Sequence, residues 1–360
     1  MKGLYIHLPF CKSKCAYCGF HSETDSTHLQ TEYFQALVKD LHSRKETDYG
    51  TLYIGGGTPS AADRKLLSAF LENLKNFNFA ESTIEANPES ADEEFMHIVR
   101  GFGFTRLSLG CQSTSDEVLK KLTRIHSAHD IFRSCGLARK ICPGTDLNLD
   151  LIYDIPEVPI ETTYKSMQDI ISLAPEHISA YSYSFDTDFL KGKEKDETDF
   201  LVVKDRLQEA GYQKYEISNF AKPGRESQHN INYWKLGVYD GLGASAWSLE
   251  NLENKRILRG KPRTAEEYIK DPLSFAEEET SEYPQTVVES LVFGLRMTKG
   301  IDFDALCVNT DAQIKNSMYN ALIRLEEKEL VKWEGSRVLL SRDGELFLDY
   351  VQEYLWQLLP

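Results

Sequence analysis

Apolar residues along this chain recur in two rhythms. Short runs such as Tyr5-Ile6-His7-Leu8, Thr51-Leu52-Tyr53-Ile54, Thr83-Ile84-Glu85-Ala86 and Arg106-Leu107-Ser108-Leu109 read as strands, as do Leu147 to Ile152 and His177 to Ser182. Between them, apolar positions three and four apart predict helices over 31–43, 62–77, 91–100, 115–140 and 161–173. Six strand–helix alternations predict a parallel α/β architecture, in which functional groups gather at the C-terminal ends of the strands. The unusual residues fall at those ends: a cysteine loop after Pro9, the triplet Gly55-Gly56-Gly57, Glu85, Gln112 and Asp150.

Beyond the sixth strand the pattern loosens. Residues 185–200 are hydrophilic and read as a loop or linker, and 201–210 as a helix. A turn at Pro223-Gly224 precedes His229-Asn230-Ile231-Asn232-Tyr233-Trp234 and a glycine-spaced run, 241–247. From about Pro284 the character changes again. Amphipathic helices over 287–297 and 312–327, a hairpin around Glu334-Gly335-Ser336 and a last helix over 344–358 suggest a winged-helix-like module. The expected organisation is thus 1–185 for the strand–helix array, 186–280 for an extension and connecting region, and 281–360 for the terminal module.

Composition narrows the function classes. The 360 residues carry a formal net charge of −15, which gives no general support to a nucleic-acid partner. No run is long enough to span a membrane, and the N-terminus lacks a signal-peptide layout, so a cytoplasmic location is expected. Seven cysteines, clustered toward the front, argue for reduced thiols serving a metal rather than a disulfide framework.

Cys11, Cys15 and Cys18, at spacing x3 and x2, are the metal candidates. A cubane iron–sulfur cluster held by three thiolates keeps one iron open for a small chelating ligand. Structural zinc prefers four ligands, and only His21 lies close enough in sequence to be a fourth. The cluster is favoured over zinc on spacing alone. Cys111, Cys135, Cys142 and Cys307 have no metal spacing; Cys111 reads as core.

The cysteine loop with Tyr17, Gly55-Gly56-Gly57-Thr58-Pro59, the Arg106–Ser113 stretch, Asp150-Leu151-Ile152-Tyr153, Tyr215 to Pro223 and the His229 motif together resemble the radical S-adenosylmethionine (SAM) superfamily. The similarity is to its coproporphyrinogen-dehydrogenase-like branch, over nearly the whole chain. It implies a partial (β/α)6 barrel followed by the mainly helical, winged-helix-like module. It also implies a 4Fe–4S cluster on Cys11, Cys15 and Cys18, and SAM contacts from Tyr5, Tyr17, Gly56, Gly57, Thr58, Glu85, Gln112, Arg124 and Asp150. Within the branch two readings stand: oxygen-independent coproporphyrinogen III dehydrogenases, and haem chaperones of the HemW type. The dehydrogenases carry a fourth cysteine where this chain has Phe20, and a long arm ahead of the first cysteine. The His229 motif resembles the chaperone signature. These three features favour a haem chaperone delivering haem to respiratory-chain proteins, with haem as ligand, peripheral membrane contact through the acceptors, and no coproporphyrinogen dehydrogenase activity.

His229, Tyr233 and Trp234 are then candidates for haem handling, histidine being the usual axial ligand. The same residues also suit a helix cap and a packing anchor. Trp247 stands where many chaperones of this type have histidine.

Overall fold

The computed structural model describes residues 1–44, 46–183, 199–253 and 255–358. All six expected strands are present: β1 (Gly3–Leu8), β2 (Thr51–Gly56), β3 (Glu81–Ala86), β4 (Arg106–Gln112), β5 (Asp146–Tyr153) and β6 (His177–Ser182). They pair in chain order, each parallel to the next. Parallel neighbours need a crossover. Helices Gln30–His42, Arg64–Glu72, Glu93–Phe102, Ala128–Ile141 and Ile160–Ser172 supply it.

The two faces of this sheet differ in chemistry. Successive side chains on a strand point to opposite faces. Leu4, Ile6, Leu8, Leu52, Ile54, Ile84, Leu107, Leu109, Leu149 and Ile178 are buried in one core with Leu37, Leu67, Phe95, Val99, Ile131 and Ile170 of the helices. The alternate positions are Tyr5 and His7, Thr51 and Tyr53, Glu81 and Glu85, Arg106 and Ser108, Asn148 and Asp150, then His177, Ser179 and Tyr181. A parallel sheet covered by helices on both sides would be apolar on both. Here the sheet has helices on one face and a polar lumen on the other. Buried Cys111 belongs to the helix-side core, as expected.

The sheet continues at both edges with strands too short or too polar for periodicity to reveal. A hairpin of β7 (Gln213–Glu216) and β8 (Asn219–Ala221) adds antiparallel to β6. On the other side β9 (Tyr239–Leu242) lies parallel to β1 and leads to antiparallel β10 (Trp247–Asn251), β11 (Lys255–Gly260) and β12 (Glu277–Glu282). A buried ion pair pins this extension: Lys261 Nζ lies 2.9 Å from Asp40 Oδ2, which also accepts from the Tyr268 hydroxyl.

Two predicted helices are broken. The 115–140 stretch forms Asp116–Lys121 and Ala128–Ile141, interrupted where Thr123 takes φ 56° and Arg124 turns inward. The last helix is divided at Phe347 into Arg342–Leu346 and Leu348–Trp356. The helix predicted to reach Phe77 stops at Glu72. Of the loop read at 185–200, residues 185–198 lie outside the described residues, and 199–200 begin helix Asp199–Glu209.

The C-terminal module has its own core, including Val288, Leu291, Met318, Leu322, Val338 and Val351. Helices Gln285–Gly294 and Ala312–Glu327 pack beside a small sheet of β13 (Ile301–Asp302), β14 (Val331–Glu334) and β15 (Arg337–Leu340), a winged-helix-like arrangement. Among the described residues no helix is long and apolar enough to cross a membrane.

Candidate functional site

The cysteine loop is tied at its base. Cys11 N–H donates to the Glu23 carbonyl at 3.0 Å, and Glu23 N–H returns a bond to Pro9 at 2.7 Å. Gly57 N–H and Thr58 N–H donate to the Leu8 and Phe10 carbonyls, so the glycine turn lies directly against the loop's first residues. A Cβ on Gly57 would sit 2.5 Å from the Pro9 carbonyl oxygen; only glycine permits that approach.

All three loop cysteines are free and partly exposed. Thr58 Oγ1 lies 3.3 Å from Cys11 Sγ, and Arg124 Nη1 is 3.4 Å from Cys15 Sγ. Burial raises the Cys11 thiol above its ordinary range, so binding a metal there must displace a proton. Among the described residues no three Cys, His, Asp or Glu side chains converge on one point as a single-ion site requires. A cubane cluster instead takes one thiolate per iron. Three free thiols on one loop, two with polar donors beside their sulfurs, suit it.

The lumen beside the loop carries two carboxyls. Glu85 Oε1 accepts from the Tyr53 hydroxyl at 2.6 Å, and Oε2 from Gly56 N–H at 3.3 Å. Burial lifts Glu85 to about 7; the Tyr53 and Gly56 hydrogen bonds hold it down, and the charge of Asp150 raises it further. Asp150 is lifted to about 6, again by burial, against hydrogen bonds from Asn148 and Ser179 and the charge of Arg124. The Tyr5 hydroxyl lies 3.0 Å from His7 Nδ1, and His7 Nε2 lies 3.0 Å from the His21 carbonyl. A carbonyl only accepts, so Nε2 carries the proton and Nδ1 accepts from Tyr5. Burial lowers His7 to about 4, which keeps this tautomer neutral.

Arg124 joins loop and lumen. Its Nη2 is held by Asn87 Oδ1 at 2.7 Å and the Gly110 carbonyl at 2.8 Å, and its Nη1 also reaches the Tyr17 hydroxyl at 3.4 Å. Gln112, at φ 68°, ends β4 beside this cluster. Tyr17 packs with Val118, Leu122, Ile152 and Ile155 in a small apolar group. The structure therefore places Gly56, Gly57, Thr58, Glu85 and Gln112 at or just after the C-terminal ends of β2, β3 and β4, Tyr5 and Asp150 within β1 and β5, and Tyr17 and Arg124 on loops beside the cysteines. Sequence reasoning passed over Tyr53, Asn87, His7 and Thr123. Polar alternation within the strands was the available signal for Tyr53 and His7.

The His229 motif lies at the opposite end. Helix Gln228–Trp234 sits against the first residues of the strands. Gln228 and His229 N–H groups donate to Glu81 at 3.0 Å each. His229 Nδ1 is 2.8 Å from Thr51 Oγ1, its Nε2 is 2.9 Å from the Tyr233 hydroxyl, and the residue is 0 % exposed. Burial drops it to about 3. In this conformation neither ring nitrogen is open to a haem iron. The Trp234 ring lies 4.1 Å from the Arg296 guanidinium.

Comparison with known proteins gives the family and the fold. The radical SAM superfamily profile matches residues 5–170. The heme chaperone HemW of Bacillus subtilis (strain 168) is 30 % identical, over 96 % of this chain and 97 % of that protein. The heme chaperone HemW of Escherichia coli (strain K12) is 36 % identical, over 71 % of this chain and 72 % of that protein. Among solved structures, the Escherichia coli coproporphyrinogen III oxidase HemN, described as a radical SAM enzyme, superposes with a TM-score of 0.81. It is 21 % identical and covers 98 % of this chain and 89 % of that one, a shared fold.

Proposed function

The chain belongs to the HemW haem-chaperone family of the radical SAM superfamily, and from that membership we propose a haem chaperone that carries a 4Fe–4S cluster and SAM at the barrel mouth. It binds haem in the cytoplasm and passes it to respiratory proteins, meeting the membrane only through those acceptors. The observation that carries the reading is the placement of three free thiols beside a glycine turn and a polar lumen. Cys11, Cys15 and Cys18 would hold the cluster, which with SAM bound supplies one-electron reductive chemistry.

The chain's own residues prepare the site. Arg124 sets a positive charge beside the Cys15 sulfur. Thr58 offers a hydroxyl to Cys11. Glu85, whose proton affinity the charge of Asp150 raises, and Asp150 present carboxyl oxygens to a cationic ligand. The Gly55–Gly57 turn lets backbone approach that ligand.

Anaerobic reconstitution of the full chain tests this. Iron content, SAM binding by equilibrium dialysis and a haem titration followed by absorbance are read on one sample. Stoichiometric haem binding is expected. Its absence would sink the chaperone reading, and conversion of coproporphyrinogen III to protoporphyrinogen would support the dehydrogenase alternative.

A further inference from the structure

The motif at 229–234 links two parts of the molecule. Upward, the His229 ring lies 5.2 Å from the Tyr53 ring, centroid to centroid. The Tyr53 hydroxyl donates to Glu85, and Glu85 accepts from Gly56. Outward, Tyr233 bonds to His229, and Trp234 covers the Arg296 guanidinium. Arg296 in turn lies 3.6 Å from Glu216 Oε2, and Glu216 pairs with Met297 by a backbone bridge. The fit is tight at the lumen floor: a Cβ on Gly3 would lie 3.2 Å from His229 Cε1.

We infer that helix Gln228–Trp234 is an internal post joining the lumen carboxyl to the C-terminal module, and that His229 is a positioning residue for Glu85 and not a haem ligand. His229 supports the Tyr53 ring from below, and the ring's hydroxyl fixes the carboxyl. Trp234 fixes the module through Arg296. A haem iron at His229 would have to break a bond to Thr51 or Tyr233 in a fully buried site. The part concerning Glu85 rests on the SAM reading above.

The test uses the full chain, reconstituted anaerobically, with SAM affinity, the haem Soret band and hydrogen exchange as readouts. His229→Ala is expected to weaken SAM binding about three- to tenfold, the range for loss of a buried hydrogen-bonded support. The Soret position and haem stoichiometry should stay unchanged. Should His229→Ala fail to fold, Tyr53→Phe removes only the hydroxyl and is expected to weaken SAM in the same direction. Trp234→Ala should raise exchange over 285–297 without altering the Soret band. Loss or shift of the Soret band in folded His229→Ala would overturn the inference. So would unchanged SAM affinity in both His229→Ala and Tyr53→Phe while Glu85→Gln weakens it. If Glu85→Gln leaves SAM affinity intact, it is the SAM reading that falls, and the haem and exchange measurements still decide the post.

Discussion

Arg124 Nη1 lies 3.4 Å from Cys15 Sγ while the same guanidinium is clamped by Asn87 and the Gly110 carbonyl. The clamp fixes a positive charge beside one thiol of the loop. Arg124→Met should reduce iron retained per chain after reconstitution, by an amount matching the loss of about 1.5–3 kcal/mol for a charge-assisted hydrogen bond. Arg124→Lys should recover part of it, because a lysine keeps the charge but not the planar fork. Equal iron content in all three proteins would refute the role.

The lumen carboxyls set a pH dependence. Burial raises folded Glu85 to about 7 and Asp150 to about 6. A raised carboxyl means the folded state holds its proton more tightly than the unfolded one. The contribution of these two carboxyls to stability without ligand therefore falls as pH rises from about 4, where unfolded carboxyls titrate, to about 7. The size is about 1.4 kcal/mol for each pH unit between folded and unfolded values. In urea denaturation from pH 4.5 to 8, the stability of Glu85→Gln relative to the wild type should rise with pH up to about 7. His7 and His229 act in the opposite direction over an overlapping range. Burial lowers them to about 4 and about 3, so their contribution is present above about 6.5 and lost as pH falls.

Lys261 and Asp40 are both 0 % exposed and 2.9 Å apart, and Arg44 lies 2.8 Å from the other Asp40 oxygen. Removing Lys261 leaves buried Asp40 to Arg44 and the Tyr268 hydroxyl. Lys261→Met should cost about 1.5–3 kcal/mol in chemical denaturation, the range for one charge-assisted hydrogen bond. Adding Asp40→Asn should restore part of the loss; a double variant as unstable as the sum of its singles would contradict the pairing.

Gly57 separates fold from site. Its Cβ position lies against the Pro9 carbonyl, in the joint between glycine turn and cysteine loop. Gly57→Ala should push that loop outward, lowering iron content and SAM affinity while the melting temperature of the unreconstituted protein changes little. Wild-type iron content in Gly57→Ala would show that the joint has slack.

The strand–helix alternation was legible because it needs only local periods: Leu4, Ile6 and Leu8 against the helices fix β1, and Leu37 and Leu41 fix the first helix face. The cysteine spacing and glycine triplet were legible for the same reason, each being a contiguous signature. The edge strands were not. β8 has three residues and pairs with a strand some forty residues earlier, and four of the six residues of β12 are glutamates, with no apolar alternation. Nor could the chain order show that Glu85 would be held by Tyr53, or that Arg124 would meet Cys15, 109 residues away.

The sequence by itself determined the parallel strand–helix array, the thiol loop and the identity of the strand-end residues, because local period and local chemistry encode them. Only the tertiary structure decided that the His229 motif closes the far end of the lumen. That position depends on Glu81, Thr51 and Arg296 converging on one helix, and no local pattern records such a meeting.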